Sequence, residues 1–217
     1  MIEIIPALLV HDSVTFKHHL SVVQDQTDFV QVDIEDGSFV SNKTWFDTVN
    51  LIEEDYNVKY FLHLMIDDPV EFVTNFPKVE IRHIKGFTAH LETLKGDNLD
   101  LFVGLVKSLG VEVGIASVKD FTNFTTNYAG YDFDEALVLG VNPGESGQHI
   151  LRNTNGRLIR AKGIAKTVAV DGGVTQNNIR DLIDNGARRI YMSSGIFDQE
   201  NPSKAYKKLK ESVHEIF

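Results

Sequence analysis

Three observations predict an α/β chain folded as one (β/α)8 barrel, the TIM-barrel architecture, over residues 1–217. Strand-like and helix-like segments alternate eight times, no linker or composition break interrupts them, and polar residues recur where the strands end. The length fits one large domain or two small ones, and the unbroken alternation decides for one. A doubly wound open sheet is the alternative. It is weakened because no G-x-G-x-x-G motif follows the first strand.

The chain justifies each element in turn. Ile2–Ile5 is a short apolar strand, and Asp12 or Ser13 can cap a helix running to about Gln24. The next strand, 28–34, organises the rest. Gln31, Asp33 and Glu35 share one face, Val30, Val32 and Ile34 share the other, and Asp36-Gly37 ends the run. A helix is expected over 45–56, then a strand from Val58 to Met65. Asp67-Asp68-Pro69 opens a helix with proline in its first turn, which Pro77 breaks or restarts. The fourth strand is placed at 85–91. Asn98–Leu109 is an amphipathic helix closed by Gly110. A strand over Val111–Ala116 precedes a helix over Lys119–Tyr128. Ala136–Val141 is a strand, followed by the loop Asn142–Gln148 and a helical segment within 148–162, interrupted near Asn155-Gly156. Thr167–Val170, Asn177–Asp184, Arg189–Met192 and Pro202–Ile216 complete the series as strand, helix, strand and helix.

Composition bounds the function. A net charge of −10 without a basic block argues against nucleic acid or an anionic membrane as partner. A local phosphate site stays open, because backbone amides bind anions without net positive charge. The absence of cysteine excludes disulfides and thiolate metal sites and suits a cytoplasmic chain. The start, MIEIIPALLV, lacks a basic region and contains Pro6, so it reads as a strand rather than a signal peptide. No apolar run approaches the roughly 20 residues of a membrane span.

In a (β/α)8 barrel the site lies where strands end. The polar residues there are Gln31, Asp33, Glu35, His63, His90, Asn142, Asp171, Ser193 and Ser194. Singly, each has an ordinary explanation. An Asp caps the next helix, and a His in an apolar run is usually a hydrogen-bonded core residue. Repetition at one end of several strands shifts the balance. The small residues of Asn142–Gln148, Gly172-Gly173 and Ser193-Ser194-Gly195 follow strands six, seven and eight, where barrel loops hold phosphate.

These blocks resemble the D-ribulose-5-phosphate 3-epimerases, within the ribulose-phosphate-binding barrels. Val32-Asp33 with Asp36-Gly37, Phe39-Val40 and Asn42 resembles one block, and Leu62-His63-Leu64-Met65 a second. His90-Leu91-Glu92, Val141-Asn142-Pro143-Gly144 with Gly147-Gln148, and Val170-Asp171-Gly172-Gly173-Val174 resemble three more. The resemblance implies a phosphosugar epimerase that passes through an enediolate, with Asp33 and Asp171 as acid and base on opposite faces of the sugar. It also implies a divalent metal on two Asp and two His. Asp33, His63 and Asp171 occupy three of those positions, and Gln31 stands at the fourth. Other departures are Ala7 for Ser, Glu35 and Leu139 for Met, Ser38 for His, Glu145-Ser146 for Phe-Gly, and Ser193 for Gly.

Three readings follow: an epimerase with a remodelled metal site, a related barrel enzyme acting on another phosphorylated substrate, or a phosphosugar-binding protein that has lost catalysis. The substrate is expected to be a phosphorylated small sugar, bound by His63, Asn142, Gly144, Ser146, Gly147, Gly172, Gly173, Ser193 and Ser194. Asp33 and Asp171 are expected to face each other with room for a sugar between them. Replacing Gly173 by a bulky residue is expected to weaken binding and spare the fold. The metal set would be Asp33, Glu35, His63 and Asp171, oxygen-rich and suited to Mg²⁺ or Mn²⁺. The competing reading has no metal, with Gln31 donating its amide N–H to a substrate oxygen. A weak or absent metal is preferred, because Glu35 lies one residue pair further along its strand. A homo-oligomer is compatible with the sequence.

Overall fold

The computed structural model describes residues 2–47, 56–118, 121 and 130–214. Eight parallel strands close into a barrel in chain order, with β1 beside β8. They are β1 (Glu3–Leu8), β2 (Phe29–Glu35), β3 (Lys59–Met65), β4 (Ile84–His90), β5 (Glu112–Ser117), β6 (Phe133–Leu139), β7 (Ala165–Asp171) and β8 (Arg189–Met192). Among the described residues the α-helices are α1 (Ser13–Val23), α2 (Pro69–Asn75), α3 (Asn98–Ser108), α4 (Thr154–Ala161), α5 (Ile179–Asp184), α6 (Ser194–Phe197) and α7 (Pro202–His214).

Local chemistry sets the helix starts. Asp12 accepts the Thr15 amide at 2.8 Å and Asp68 accepts the Glu71 amide at 2.8 Å, each meeting one of the orphan donors of a first turn. Several boundaries differ from expectation. β1 runs on through Pro6 to Leu8, because tight pairing with β8 and β2 holds it extended. β6 begins at Phe133, earlier than its apolar run suggests. Gly156 interrupts nothing; it lies inside α4, where the buried Arg157, Leu158 and Ala161 anchor the turn. Residues 45–47 form no helix, and the remainder of the helix expected over 45–56 falls mainly on residues outside those described, as does the one over 119–128.

Two cores result. Outside the barrel wall, Leu20, Phe102, Val106, Leu158 and Leu182 of the helices pack on strand residues such as Val32, Leu62 and Val170. Inside, Ile5, Phe61, Ala116, Leu137 and Ala169 form an apolar layer. At the N-terminal end of the strands lies an ionic plug. The Arg189 guanidinium donates to Glu135 at 2.7 Å, Glu3 at 2.9 Å and Glu112 at 3.2 Å, and stands 4.3 Å from the Phe61 ring centre. Tyr191 and Thr88 donate their hydroxyls to the two oxygens of Glu135 at 2.7 and 3.0 Å. A buried carboxylate persists only when its lone pairs are met in this way. The opposite end of the barrel is left for the polar strand ends.

Candidate active site

Parallel pairing assembles the site. Asp33 is register partner of His63, so both project inward at one height. Gln31 lies one inward position below, and β7 ends on Asp171. Asp33, His63 and Asp171 each place one nitrogen or oxygen within 4.8 Å of the others. Gln31, 1% exposed, donates its side-chain amide to Asp33 Oδ1 at 2.9 Å and to Asp171 Oδ2 at 2.6 Å. His63 Nδ1 is 2.8 Å from the same Asp33 oxygen, and its Nε2 is 2.9 Å from His90 Nε2. Burial pushes both imidazoles towards the neutral form, His90 down to about 4. Among neutral tautomers one arrangement serves both contacts: His63 donates Nδ1–H to Asp33, and His90 donates Nε2–H to His63.

Burial raises the carboxyls of Asp33 and Asp171 to about 7, and the negative charge of Asp33 adds to the effect at Asp171. Carboxyls poised there exchange protons near neutral pH, as a general acid and base require. At the level of Gln31 the gap between them is narrower than the sugar-wide space expected, because one amide ties an oxygen of each. Asp33 Oδ2 and Asp171 Oδ1, which Gln31 leaves alone, are the oxygens available to a carbon lying over the pair.

Glu35 does not join this group. It stands one residue pair too far along β2, buried, with no hydrogen bond to either carboxylate oxygen among the described residues. Burial and the charge of Asp33 push its carboxyl up to about 7. The ligand role expected of Glu35 therefore fails on position.

Above the carboxylates opens a narrow cleft. Asn142, Gly144, Ser146, Gly147, Gly172, Gly173, Ser193 and Ser194 all line it, with Asp33, His63 and Asp171 at its base. No lysine or arginine is among its lining residues that are described, so an anion held by these must rely on N–H and hydroxyl dipoles. Gln148 braces the first loop, donating to the carbonyls of Asn142 at 2.7 Å and Glu145 at 2.9 Å. Asn42, from the loop after β2, reaches across and donates to the Gly144 carbonyl. Gly173 has φ +69°, and a Cβ there would lie 2.7 Å from the Ile150 backbone. A bulky replacement therefore disturbs the neighbouring loop as well as the cleft, contrary to expectation.

Arg157 escaped the sequence reading. It is 1% exposed, and its guanidinium donates to the carbonyls of Leu139, at 2.7 Å, and Ser117, tying the ends of β6 and β5 together. The available signal was an arginine on the apolar face of a short helix.

Against this geometry, the sequence model of the ribulose-phosphate 3-epimerase family matches residues 3–197. The chain belongs to this family. The ribulose-phosphate 3-epimerase of Aquifex aeolicus is 26% identical over 88% of this chain and 86% of its own length. That of Bacillus subtilis is 24% identical over 98% and 100%. Among solved structures, KGPDC from Streptococcus mutans superposes with a TM-score of 0.74 at 12% identity, covering 100% of this chain and 99% of its own. Orotidine 5'-monophosphate decarboxylase from Methanocaldococcus jannaschii gives 0.64 at 17% identity, covering 98% of each chain. At such identities the structures speak for the shared barrel alone.

Family membership implies a divalent ion, and the residues fit one in part. Asp33, His63 and Asp171 are ligand types brought together. Gln31, at the place of the second family histidine, turns an N–H donor to the centre where a ligand needs a lone pair. No helix among the described residues is long and apolar enough to cross a membrane.

Proposed function

We propose that this protein is a phosphosugar epimerase or isomerase acting on a ketose phosphate. The observation that carries the reading is a pair of carboxyls, buried Asp33 and partly buried Asp171, at the base of a glycine-lined cleft, where desolvation raises both to about 7. One carboxylate removes the proton beside the substrate carbonyl, giving an enediolate. The other, protonated, returns a proton to the opposite face. The loops after β6, β7 and β8 would hold the phosphate through backbone amides of Gly144–Gly147 and Gly172-Gly173, with the hydroxyls of Ser193 and Ser194 adding donors. The likeness to named epimerases supports the reaction class.

The test is deuterium exchange from solvent into a panel of pentulose and hexulose phosphates, followed by NMR. Incorporation at the carbon next to the carbonyl is expected, and Asp33→Asn or Asp171→Asn should each slow it by about 10²–10⁴-fold. No exchange into any member would overturn the epimerase reading.

A further inference from the structure

We propose that the side-chain amide of Gln31 stands in the place of the family's cation, so that this barrel holds its two carboxylates together with N–H groups and carries no tightly bound divalent ion. The inference rests on the epimerase reading only for what the carboxylates do.

The argument is one of matched donors and acceptors. Four side chains face the centre of the site: Gln31, Asp33, His63 and Asp171. The two carboxylates are acceptors. Gln31 Nε2 is 2.9 Å from one and 2.6 Å from the other, so the amide spends an N–H on each. His63 Nδ1, 2.8 Å from Asp33, supplies a third donor. The set closes on itself and needs no ion to be satisfied.

An ion would demand the opposite polarity from two of the four. Gln31 would have to turn its carbonyl oxygen inward. Without a cation or a carboxyl proton between them, that oxygen would face two carboxylate oxygens at hydrogen-bond distance. With its N–H groups inward, Gln31 offers an ion no lone pair and occupies one oxygen of each carboxylate. His63 would have to surrender its Nδ1 proton to ligate through that atom. The proton would move to Nε2, which already lies 2.9 Å from His90 Nε2, so His90 would have to change tautomer too. The displaced proton would then sit on His90 Nδ1, 3.6 Å from Glu92 Oε2. Binding an ion through all four side chains therefore requires a flipped amide and two shifted tautomers, all in side chains that are 1% exposed or less.

The experiment is elemental analysis of the wild-type protein purified without chelator or added metal, with calorimetric titration of Mn²⁺ and Zn²⁺ into wild type, Gln31→His and Gln31→Glu. Wild type is expected to hold well under one equivalent. Both variants present lone pairs to the centre and are expected to bind at least about 10–100-fold more tightly, the range that even an outer-shell partner commands. A full equivalent of ion surviving gel filtration of wild type, or equal affinities in all three proteins, would overturn the proposal. Should Gln31→His fail to fold, Gln31→Glu keeps the shape of glutamine. In ¹⁵N–¹H spectra of the wild type, the Gln31 side-chain amide should be protected from solvent and unmoved by EDTA; a shift on chelation would also overturn it. An ion-free wild type that exchanges no deuterium would remove the epimerase reading and leave this inference standing. A metal-loaded wild type that exchanges would do the reverse.

Discussion

At the scale of single residues, the site shows what a strand-end pattern discloses and what it withholds. Asp33, His63 and Asp171 converge because strand alternation and barrel closure leave them no other direction, and both were legible in the sequence. The use made of Gln31 was not legible, since an amide offers a donor or an acceptor and only its neighbours decide which. The same burial that suits the aspartates to proton transfer has a thermodynamic consequence. In the unfolded chain they ionise near 3.8, whereas the folded protein keeps their protons until about 7. Between those values the unfolded state binds fewer protons, so stability falls as pH rises from about 4 to 7. Wild type should melt lower at pH 8 than at pH 5, and Asp33→Asn should show a shallower decline. Parallel melting curves for the two proteins across that range would contradict the assignment.

At the scale of elements, all eight strands were placed, β8 with both its ends, but most other ends were missed by one to three residues. β6 starts at Phe133, ahead of its apolar run, and β1 passes through Pro6 to Leu8, because neighbouring strands hold both extended. α4 passes through Gly156 because packing of its buried face outweighs the about 1 kcal/mol that glycine costs a helix. The glycine loops divide by surroundings. Gly173 is pressed against Ile150, whereas a Cβ on Gly147, φ +75°, would meet nothing within 4 Å. Gly147→Ala is expected to lose about 1–2 kcal/mol, the cost of the left-handed backbone alone. Gly173→Ala should lose more, and phosphate affinity with it. Urea denaturation and calorimetry with inorganic phosphate measure the two effects. A Gly173→Ala protein no less stable than Gly147→Ala would show that Ile150 yields freely.

At the scale of the whole molecule, the plug under the barrel ties distant parts of the chain. Glu3, Glu112 and Glu135 stand near the starts of three strands, where the sequence reads as ordinary solvent-facing charge, and only closure of the sheet brings them to Arg189. Removing the guanidinium leaves Glu135, 1% exposed, without its counterion. Arg189→Met should therefore cost about 3–5 kcal/mol in urea denaturation, and adding Glu135→Gln should recover most of it. A single variant as stable as wild type would mean that the glutamates find other partners.

The bond from Asn42 to the Gly144 carbonyl has a consequence measured in time. It fastens the loop after β2 to the loop after β6, whose residues Asn142–Gln148 line the cleft, and a ligand is expected to exchange more readily while the two are parted. Each visit is then lengthened by the waiting time for that parting, whatever the affinity. Asn42→Ala should shorten the residence of a bound sugar phosphate, with association and dissociation accelerating together in stopped-flow traces and their ratio little changed. An unaltered dissociation rate would show that the two loops already move apart faster than the ligand departs.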